Sequence, residues 1–156
     1  MAVNALASLL AALTLLSYLF LYTPLKRRTP LCTVVGAFPG AMPPLIGWAA
    51  ASGRLSFDAL LLFAVLFLWQ FPHFMAIAWM YREDYDRAGY LVLPRGKRRI
   101  RFMAWQSVLP ALALIPLGLI PWFLGRTGSV YTMGTVLWAL TFPIAALNWP
   151  FGSQTV

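Results

Sequence analysis

Residues 59–80 read ALLLFAVLFLWQFPHFMAIAWM, and residues 81–87 continue as YREDYDR. The first stretch has no Asp, Glu, Lys or Arg and is about as long as a helix must be to cross a bilayer. The second stretch holds three of the four acidic residues of the chain, Glu83, Asp84 and Asp86. An uncharged span that ends in a charged cluster indicates a transmembrane helix with a polar site at its end.

The composition of the whole chain points the same way. Hydrophobic residues make up 61% of the 156 residues and charged residues only 10%, against roughly 45–50% and about 25% in typical soluble proteins. So few charges cannot cover a soluble exterior, and the single cysteine, Cys32, excludes an intrachain disulfide scaffold. The net charge of +8 is typical of basic cytoplasmic loops, so we expect a lipid bilayer and no nucleic acid as partner.

We predict an all-α fold, a polytopic transmembrane helix bundle that forms a single domain over residues 1–156. About five segments are apolar over the length of a bilayer, and this property alone identifies them as spans. The predicted spans are residues 2–22, 32–51, 59–80, 102–124 and 130–149.

The basic residues alternate between the connecting loops. In chain order, the four loops contain three, one, seven and one Lys or Arg. The positive-inside rule therefore places the first and third loops in the cytoplasm and Met1 on the opposite side. Since an outside amino terminus without a signal peptide is unusual, we expect Met1 to open a fragment whose earlier spans are missing.

The second span is rich in proline and glycine, with residues 33–48 reading TVVGAFPGAMPPLIGW. Proline removes a backbone donor, and glycine lets neighbouring helices approach closely. Broken backbone at membrane depth is tolerated only against protein or a water-filled cavity. We therefore expect this helix to be kinked and to face the interior of the bundle.

The acidic cluster after the third span suggests a cation site. Three carboxylates so close together repel one another unless cations neutralise them, and Mg²⁺ takes one or two carboxylates together with phosphate oxygens of a substrate. The alternative is a solvated loop in which Glu83 and Asp84 pair locally with Arg82 and Arg87.

The first cytoplasmic loop, residues 22–29, reads YTPLKRRT and suggests an anion site. Lys26 is a compact charge and Arg27 a bidentate fork, and both suit phosphate. The alternative is plain topogenic charge. Because the acids and these bases are predicted on one membrane face, a diphosphate bridged by Mg²⁺ would find both partners there.

The third span contains a histidine, His73, which is uncommon inside a membrane and indicates function by default. His73 would bind a metal, orient a substrate or move a proton, and Gln70 nearby can donate or accept hydrogen bonds. The alternative is a structural histidine bonded to a neighbouring helix.

Four motifs follow one another in a fixed order. They are YTPLKRRT at 22–29, TVVGAFPGAMPPLIGW at 33–48, WQFPHF at 69–74 and YREDYDRAGY at 81–90. Together they resemble the protoheme IX farnesyltransferase (heme o synthase) family of the intramembrane UbiA-type prenyltransferase superfamily. The likeness is strong over about residues 3–94 and only that of generic helices over 102–149. It implies a nine-span bundle around a cavity open to the cytoplasm, of which this chain would hold the fourth to about the eighth span.

The resemblance also implies a reaction. Farnesyl diphosphate would lose its diphosphate with the assistance of Mg²⁺, and the farnesyl carbon would couple to a vinyl group of protoheme IX. Heme b is then a substrate rather than a cofactor. The expected location is a bacterial inner membrane with the active site on the cytoplasmic side, and heme a synthase is an expected partner.

The functional residues of the family carry over onto these motifs. The expected catalytic residues are Asp84, Lys26 and Arg27. The expected metal ligands are Glu83, Asp84 and Asp86. The expected substrate-binding residues are Lys26, Arg27, Arg82, His73, Gln70 and Tyr22. Within these sets, Asp84 is the best single candidate for the Mg²⁺–diphosphate contact.

The chain departs from the family pattern in three ways. The first acidic motif, an array of Asn and Asp, has no counterpart, which implies that this chain alone does not turn over. Cys32 stands where asparagine is expected, and the stretch after Pro94 is shorter and more basic than usual.

Three other functions stay open. The chain could belong to a prenyltransferase acting on a quinone precursor or chlorophyllide, to a transporter or channel, or to a non-catalytic subunit that assembles with a respiratory oxidase. The WQFPHF motif favours the heme branch. Acids at the edge of the membrane disfavour a transporter, which more often places its charges near the midplane.

The charge alternation generates a prediction that is independent of the family. In the full-length protein, a cysteine introduced at Ser52 should react with an impermeant maleimide in intact cells, whereas one at Gly96 should not, with Cys32 replaced by serine. The opposite labelling would contradict the orientation, because it would place most of the basic residues across the membrane.

Overall fold

The computed structural model describes residues 4–94, 96 and 98–148, with the backbone alone at 139, 140 and 142–148. Over these residues the fold is helical and contains no strand, which confirms the predicted fold class. The helices in chain order are α1 (Ala5–Leu16), a π-helical turn (Ser17–Tyr22), α2 (Thr23–Leu25), α3 (Cys32–Ala41), α4 (Pro43–Ser52), α5 (Phe57–Met80), α6 (Arg82–Arg87), α7 (Arg98–Phe123) and α8 (Ser129–Asn148).

Among the described residues, four helical segments are long and apolar enough to cross a membrane. They are Ala5–Leu25, Cys32–Ser52, Phe57–Met80 and Arg98–Phe123, and each overlaps one predicted span. The 20-residue helix α8 lies where the fifth span is predicted, although its side chains are described only in part. The chain is therefore a multi-pass membrane protein.

The first span is continuous but changes its winding. It begins at a cap, where Asn4 Oδ1 accepts a hydrogen bond from Ala7 N–H at 2.9 Å and satisfies one free donor of the helix start. After Leu16 the helix widens into the π-helical turn and then closes again in α2. A π-helical turn rotates every later side chain around the axis, and composition gives no signal for it.

The second span breaks between α3 and α4 at Met42. Pro43 and Pro44 have no N–H to donate to the carbonyls of Pro39 and Gly40, four residues earlier, and Met42 N–H bonds Pro39 O instead at 3.4 Å. This is the interruption that the sequence predicts. Pro39 and Gly40, just before the break, both border a cavity inside the bundle, which is where a membrane protein tolerates irregular backbone.

The helices pack through small side chains and expose large ones. Seven alanines, on α1, α3, α4, α5 and α7, are at most 1% exposed, and they let the helix backbones approach one another closely. Large apolar side chains such as Leu9, Phe20 and Leu62 are about half exposed or more. In water this surface would be a liability, but a bilayer, where lipid and other helices are equally apolar, accommodates it.

Contacts at the two ends of the bundle show which loops lie on the same side of the membrane. The grouping is the one that the number of basic residues in each loop predicts. At one end, Asn4 Nδ2 donates to Ala49 O, and Arg126 pairs with Asp58 at the start of α5. At the other end, Leu91 N–H donates to Lys26 O at 2.9 Å, which joins the third loop to the first. The first and third loops therefore share one membrane face.

One close approach fixes α3 against α5. Gln70 Nε2 donates to Ala37 O and to Leu66 O, each at 3.2 Å, so the buried amide bridges the two helices. A Cβ atom at Gly40 would collide with the Oε1 atom of this amide. A Cβ atom at Gly47, by contrast, would meet no other atom within 4 Å.

We expect Gly40→Ala to lower the free energy of unfolding of the full-length protein by about 1–3 kcal/mol, because the amide must yield and lose a buried hydrogen bond. Gly47→Ala is the matched control and should be neutral or stabilising by up to about 1 kcal/mol. Thermal unfolding in detergent measures both. Equal melting temperatures for the two variants would contradict the close approach.

Candidate functional site

A cavity of about 770 Å³ lies inside the bundle and is bordered by the first span, α3, α4, α5 and the third loop with α6. Its walls combine tyrosines, one lysine and many apolar side chains. The lining residues are Ala11, Thr14, Leu15, Tyr18, Tyr22, Lys26, Cys32, Thr33, Gly36, Pro39, Gly40, Ile46, Phe74, Ile77, Ala78, Tyr85, Tyr90 and Val92.

The cavity has a charged end and an apolar end. Lys26, at the end of the first span, lines it beside Tyr85 and Tyr90 from the third loop. Ala11, on the same helical span, lies fifteen residues away, or about 22 Å at 1.5 Å per residue. An amphiphile with an anionic head and a long apolar tail matches this distribution.

The π-helical turn brings Tyr22 into the cavity wall. Thr23 N–H donates to Tyr18 O, five residues earlier, and the ring centroids of Tyr18 and Tyr22 lie 5.2 Å apart. The ring of Tyr22 lies so close to Gly36 that a Cβ there would be 2.7 Å from it. Only glycine fits at position 36 in this packing, and the predicted site residue Tyr22 is thereby fixed against α3.

The basic loop divides its charges between the cavity and the exterior. Lys26 is half-buried and lines the cavity, whereas Arg27 and Arg28 are exposed beside it. Within the described residues, none of the three has a carboxylate within 4 Å, since the ion pairs of this region join other residues. These cations are therefore available to an anion.

The acidic cluster forms the short helix α6. Tyr85 of this helix lines the cavity, but Glu83, Asp84 and Asp86 on its other sides do not. The structure thus brings the acids to the cavity rim, on the same membrane face as Lys26.

Arg87 lies between two of the acids. Its guanidinium nitrogens are 3.7 Å from Glu83 Oε2 and 3.6 Å from Asp84 Oδ1, with both carboxyl side chains about two-thirds exposed or more. These separations are longer than hydrogen bonds, and exposed pairs of this kind contribute little to stability. The pairing is the one that the solvated alternative predicts, but it is weak enough for another cation to displace Arg87.

Asp86 has a firmer partner. Its Oδ2 accepts from Arg99 Nη2 at 2.9 Å, and Arg99 is mostly buried and also donates from Nε to Pro94 O at 3.1 Å. The pair joins α6 to the start of α7, where a lone cation would oppose the helix dipole. Asp86 is predicted as a third metal ligand, but in this structure its carboxylate is committed to Arg99.

The donor set fits a divalent cation bound through one or two carboxylates. No group of three His, Cys, Asp or Glu side chains capable of holding a metal occurs in the part of the chain that the structure describes. Mg²⁺ does not require such a group, because phosphate oxygens and water complete its shell. Glu83 and Asp84, which already share one cation in Arg87, are the residues that fit.

Besides Arg27, which is exposed beside the cavity, three of the predicted substrate-binding residues lie away from the cavity wall. Gln70 is buried between α3 and α5, with both amide hydrogens donated. Arg82 folds back on α5, where it donates to Trp79 O at 3.2 Å and covers the Trp79 ring. His73 is exposed, and its ring stacks on Trp69 at 4.8 Å.

Sequence reasoning assigned Tyr85 mainly to an interfacial aromatic belt and did not identify Tyr90 as a cavity residue. Both lie within the YREDYDRAGY motif, but a tyrosine at a membrane surface is usually explained as part of an aromatic belt. The signal in the sequence was Gly89, which follows a short helix and predicts a chain reversal. That reversal turns Tyr90 back towards Tyr85 and the first loop.

The fold and the cavity define a class: a polytopic α-helical membrane protein with an internal cavity that has a lysine at one end and apolar walls at the other. The chain matches the UbiA prenyltransferase family over residues 1–151, so it belongs to that family. No solved structure matches it.

Three relatives illustrate what the chain is similar to. It is 56% identical over 140 residues to the protoheme IX farnesyltransferase of Solibacter usitatus, covering 90% of this chain and 48% of the relative. The protein of that name from Koribacter versatilis is 45% identical, with 93% and 48% covered. The mitochondrial protoheme IX farnesyltransferase of Arabidopsis thaliana is also 45% identical, with 95% and 34% covered. The chain thus spans about half the length of these bacterial relatives and a smaller share of the plant protein.

The Asp86–Arg99 pair generates a prediction about stability. We expect Asp86→Asn and Arg99→Gln each to lower the free energy of unfolding of the full-length protein by about 1 kcal/mol, because each removes a charge-assisted hydrogen bond. The double variant should cost little more than either single one. Thermal unfolding measures this, with Arg87→Gln as the control that changes little. Costs that simply add would argue against the pair.

Proposed function

We propose that the protein to which this chain belongs transfers a farnesyl group from farnesyl diphosphate to a vinyl group of protoheme IX, giving heme o. The observation that carries the proposal is the cavity with Lys26 at one end and apolar walls at the other. A prenyl diphosphate has the same two parts, an anionic head and a long hydrocarbon tail.

The head of the substrate would bind at the basic loop. Lys26 lines the cavity and Arg27 is adjacent, and neither is neutralised by a carboxylate in the described part of the chain. An ammonium and a guanidinium together stabilise the negative charge that grows on the diphosphate as its bond to carbon breaks. We assign them the role of holding the leaving group.

Glu83 and Asp84 would hold Mg²⁺ at the rim, with Asp84 as the principal ligand. The metal ion, when bound, supplies further neutralisation of the diphosphate. Asp86 would act as a ligand only if it released Arg99, so we consider it a less favourable metal ligand than Glu83 and Asp84.

The aromatic wall would protect the reacting carbon. As the C1–O bond breaks, the electron pair leaves with the diphosphate and C1 becomes cationic. The rings of Tyr22, Tyr85 and Tyr90 line the same cavity, and ring faces attract positive charge without acting as nucleophiles. The vinyl electrons of protoheme IX then form the new bond to C1, and water adds to the remaining vinyl carbon with loss of a proton.

The acceptor is proposed from the relatives. The relatives in Solibacter, Koribacter and Arabidopsis are all named for protoheme IX as the acceptor, which favours heme over a quinone precursor or chlorophyllide. Membership of a prenyltransferase family disfavours a transporter or a non-catalytic oxidase subunit. We further propose a bacterial inner membrane, a cytoplasmic active site and heme a synthase as the partner that receives the product. His73, exposed beside Trp69, is the residue we propose near the heme.

The function is tested in a host that lacks heme o. Expression of the full-length gene should produce a farnesylated heme in extracts separated by chromatography and identified by mass. Asp84→Asn should lower this product by a factor of about 100 or more, the scale of other electrostatic catalytic groups. Asp58→Asn, at the opposite end of α5, is the matched control and should leave it unchanged. Membrane-inserted wild-type protein without the product would refute the proposal.

A further inference from the structure

The positively charged side chains of Lys26 and Arg27 are adjacent, and both contact the same aromatic ring, that of Tyr90. Lys26 Nζ lies 5.0 Å from the centroid of the Tyr90 ring, and the Arg27 guanidinium carbon lies 5.8 Å from it. Both distances are within the roughly 6 Å over which a ring face attracts a cation. All four acidic residues of the chain, by contrast, pair with other arginines.

We propose that Tyr90 is the positioning residue for Lys26 and Arg27: its ring holds both cations together at the cavity mouth, ready for a diphosphate. The inference rests on the proposed function, because a bound diphosphate is what gives paired cations a purpose. It adds a residue that lies outside the acidic and basic clusters themselves.

A ring suits this task better than a carboxylate would. A carboxylate beside Lys26 would neutralise it and would repel the incoming diphosphate. The ring offers attraction without net charge and accepts no strong hydrogen bond, so the N–H donors of both cations stay free for phosphate oxygens. Two adjacent cations repel each other, and their attraction to a shared ring keeps them close together. Less side-chain conformational entropy is then lost when both cations bind one ligand.

The fold places Tyr90 by a specific chain reversal. After α6, Gly89 takes the left-handed conformation with φ of 70°. Gly89 N–H bonds Asp86 O at 3.3 Å and Tyr90 N–H bonds Tyr85 O at 2.9 Å, which is the double-bonded Schellman end of a helix. The reversal brings the Tyr85 and Tyr90 rings to 6.2 Å and into the same cavity wall.

Two residues that follow Tyr90 fix this segment to the rest of the fold. The next residue, Leu91, donates its N–H to Lys26 O, so the ring and its cation are tied through the backbone as well. Leu93 is 5% exposed and packs with Met75 and Met103 in a cluster under the third loop. The position of the ring is therefore determined by the fold and does not depend on the cations that it contacts.

The test alters the electron density of the ring while keeping its shape. In full-length protein in nanodiscs, position 90 would carry phenylalanine and then its difluoro and trifluoro analogues, because fluorine withdraws the charge from the ring face that attracts cations. The probe is inorganic pyrophosphate with Mg²⁺, and its dissociation constant is measured by calorimetry. We expect Tyr90→Phe to bind within about twofold of wild type, and stepwise fluorination to weaken binding by about tenfold in total.

A matched control uses the same chemistry at a tyrosine on the same membrane face. Tyr81 is 52% exposed, and no cation covers its ring in the described part of the chain. The same fluorinated series at position 81 should leave pyrophosphate binding unchanged. Tyr90→Leu, which removes the ring, should weaken binding by about tenfold, and its melting temperature shows whether it folds.

Each outcome is decisive. A flat fluorination series at position 90 overturns the inference even if Tyr90→Leu is damaging, because a purely structural ring would not respond to its electron density. Equal weakening at positions 81 and 90 overturns it as well. If wild-type protein forms farnesylated heme but binds pyrophosphate independently of position 90, only the inference fails. If wild-type protein forms no product and binds no pyrophosphate, the proposed function fails with it.

Discussion

Every peptide group inside a bilayer must find its hydrogen-bond partner within the protein, and this constraint explains both the regular and the irregular parts of the chain. The spans are helical because a helix satisfies its own backbone. The regular winding is interrupted at the π-helical turn, Ser17–Tyr22, and at the break before Pro43. Both interruptions border the same cavity, through Tyr22 and Gly40. The fold thus admits irregular backbone next to its internal cavity, as this constraint requires.

The charges at that face are sorted by the geometry of one short helix. Residues of α6 that follow one another point about 100° apart, so a helix that turns Tyr85 towards the cavity must turn its acidic neighbours away from it. The cation Lys26 then occupies the wall and the acids occupy the rim. This separation keeps the two sets from neutralising each other, which the proposed binding of a diphosphate and a divalent cation requires.

The acidic and basic motifs show how much of a binding site can be predicted from the types of its residues. Their chemistry and their shared membrane face follow from composition and loop charge alone. Which member of each motif is free does not follow, because partners come from distant segments: Asp86 meets Arg99 of α7, and Gln70 meets Ala37 of α3. Asp84 and Asp86 look equivalent in sequence, but their contacts differ. The carboxylate of Asp84 has only a weak ion pair and can bind another cation, whereas that of Asp86 is hydrogen-bonded to Arg99.

The sequence by itself determined that the chain lies in a lipid bilayer, that it is helical, where its spans are and which loops share a membrane face. These properties follow from long apolar runs and basic clusters, which act through composition. The sequence also indicated the broken second span, because proline acts on its own backbone. Only the tertiary structure decided which side chains share a cavity. The winding of the π-helical turn and the left-handed conformation of Gly89 rotate Tyr22 and Tyr90 into place, and such rotations depend on packing between segments that are far apart in the chain.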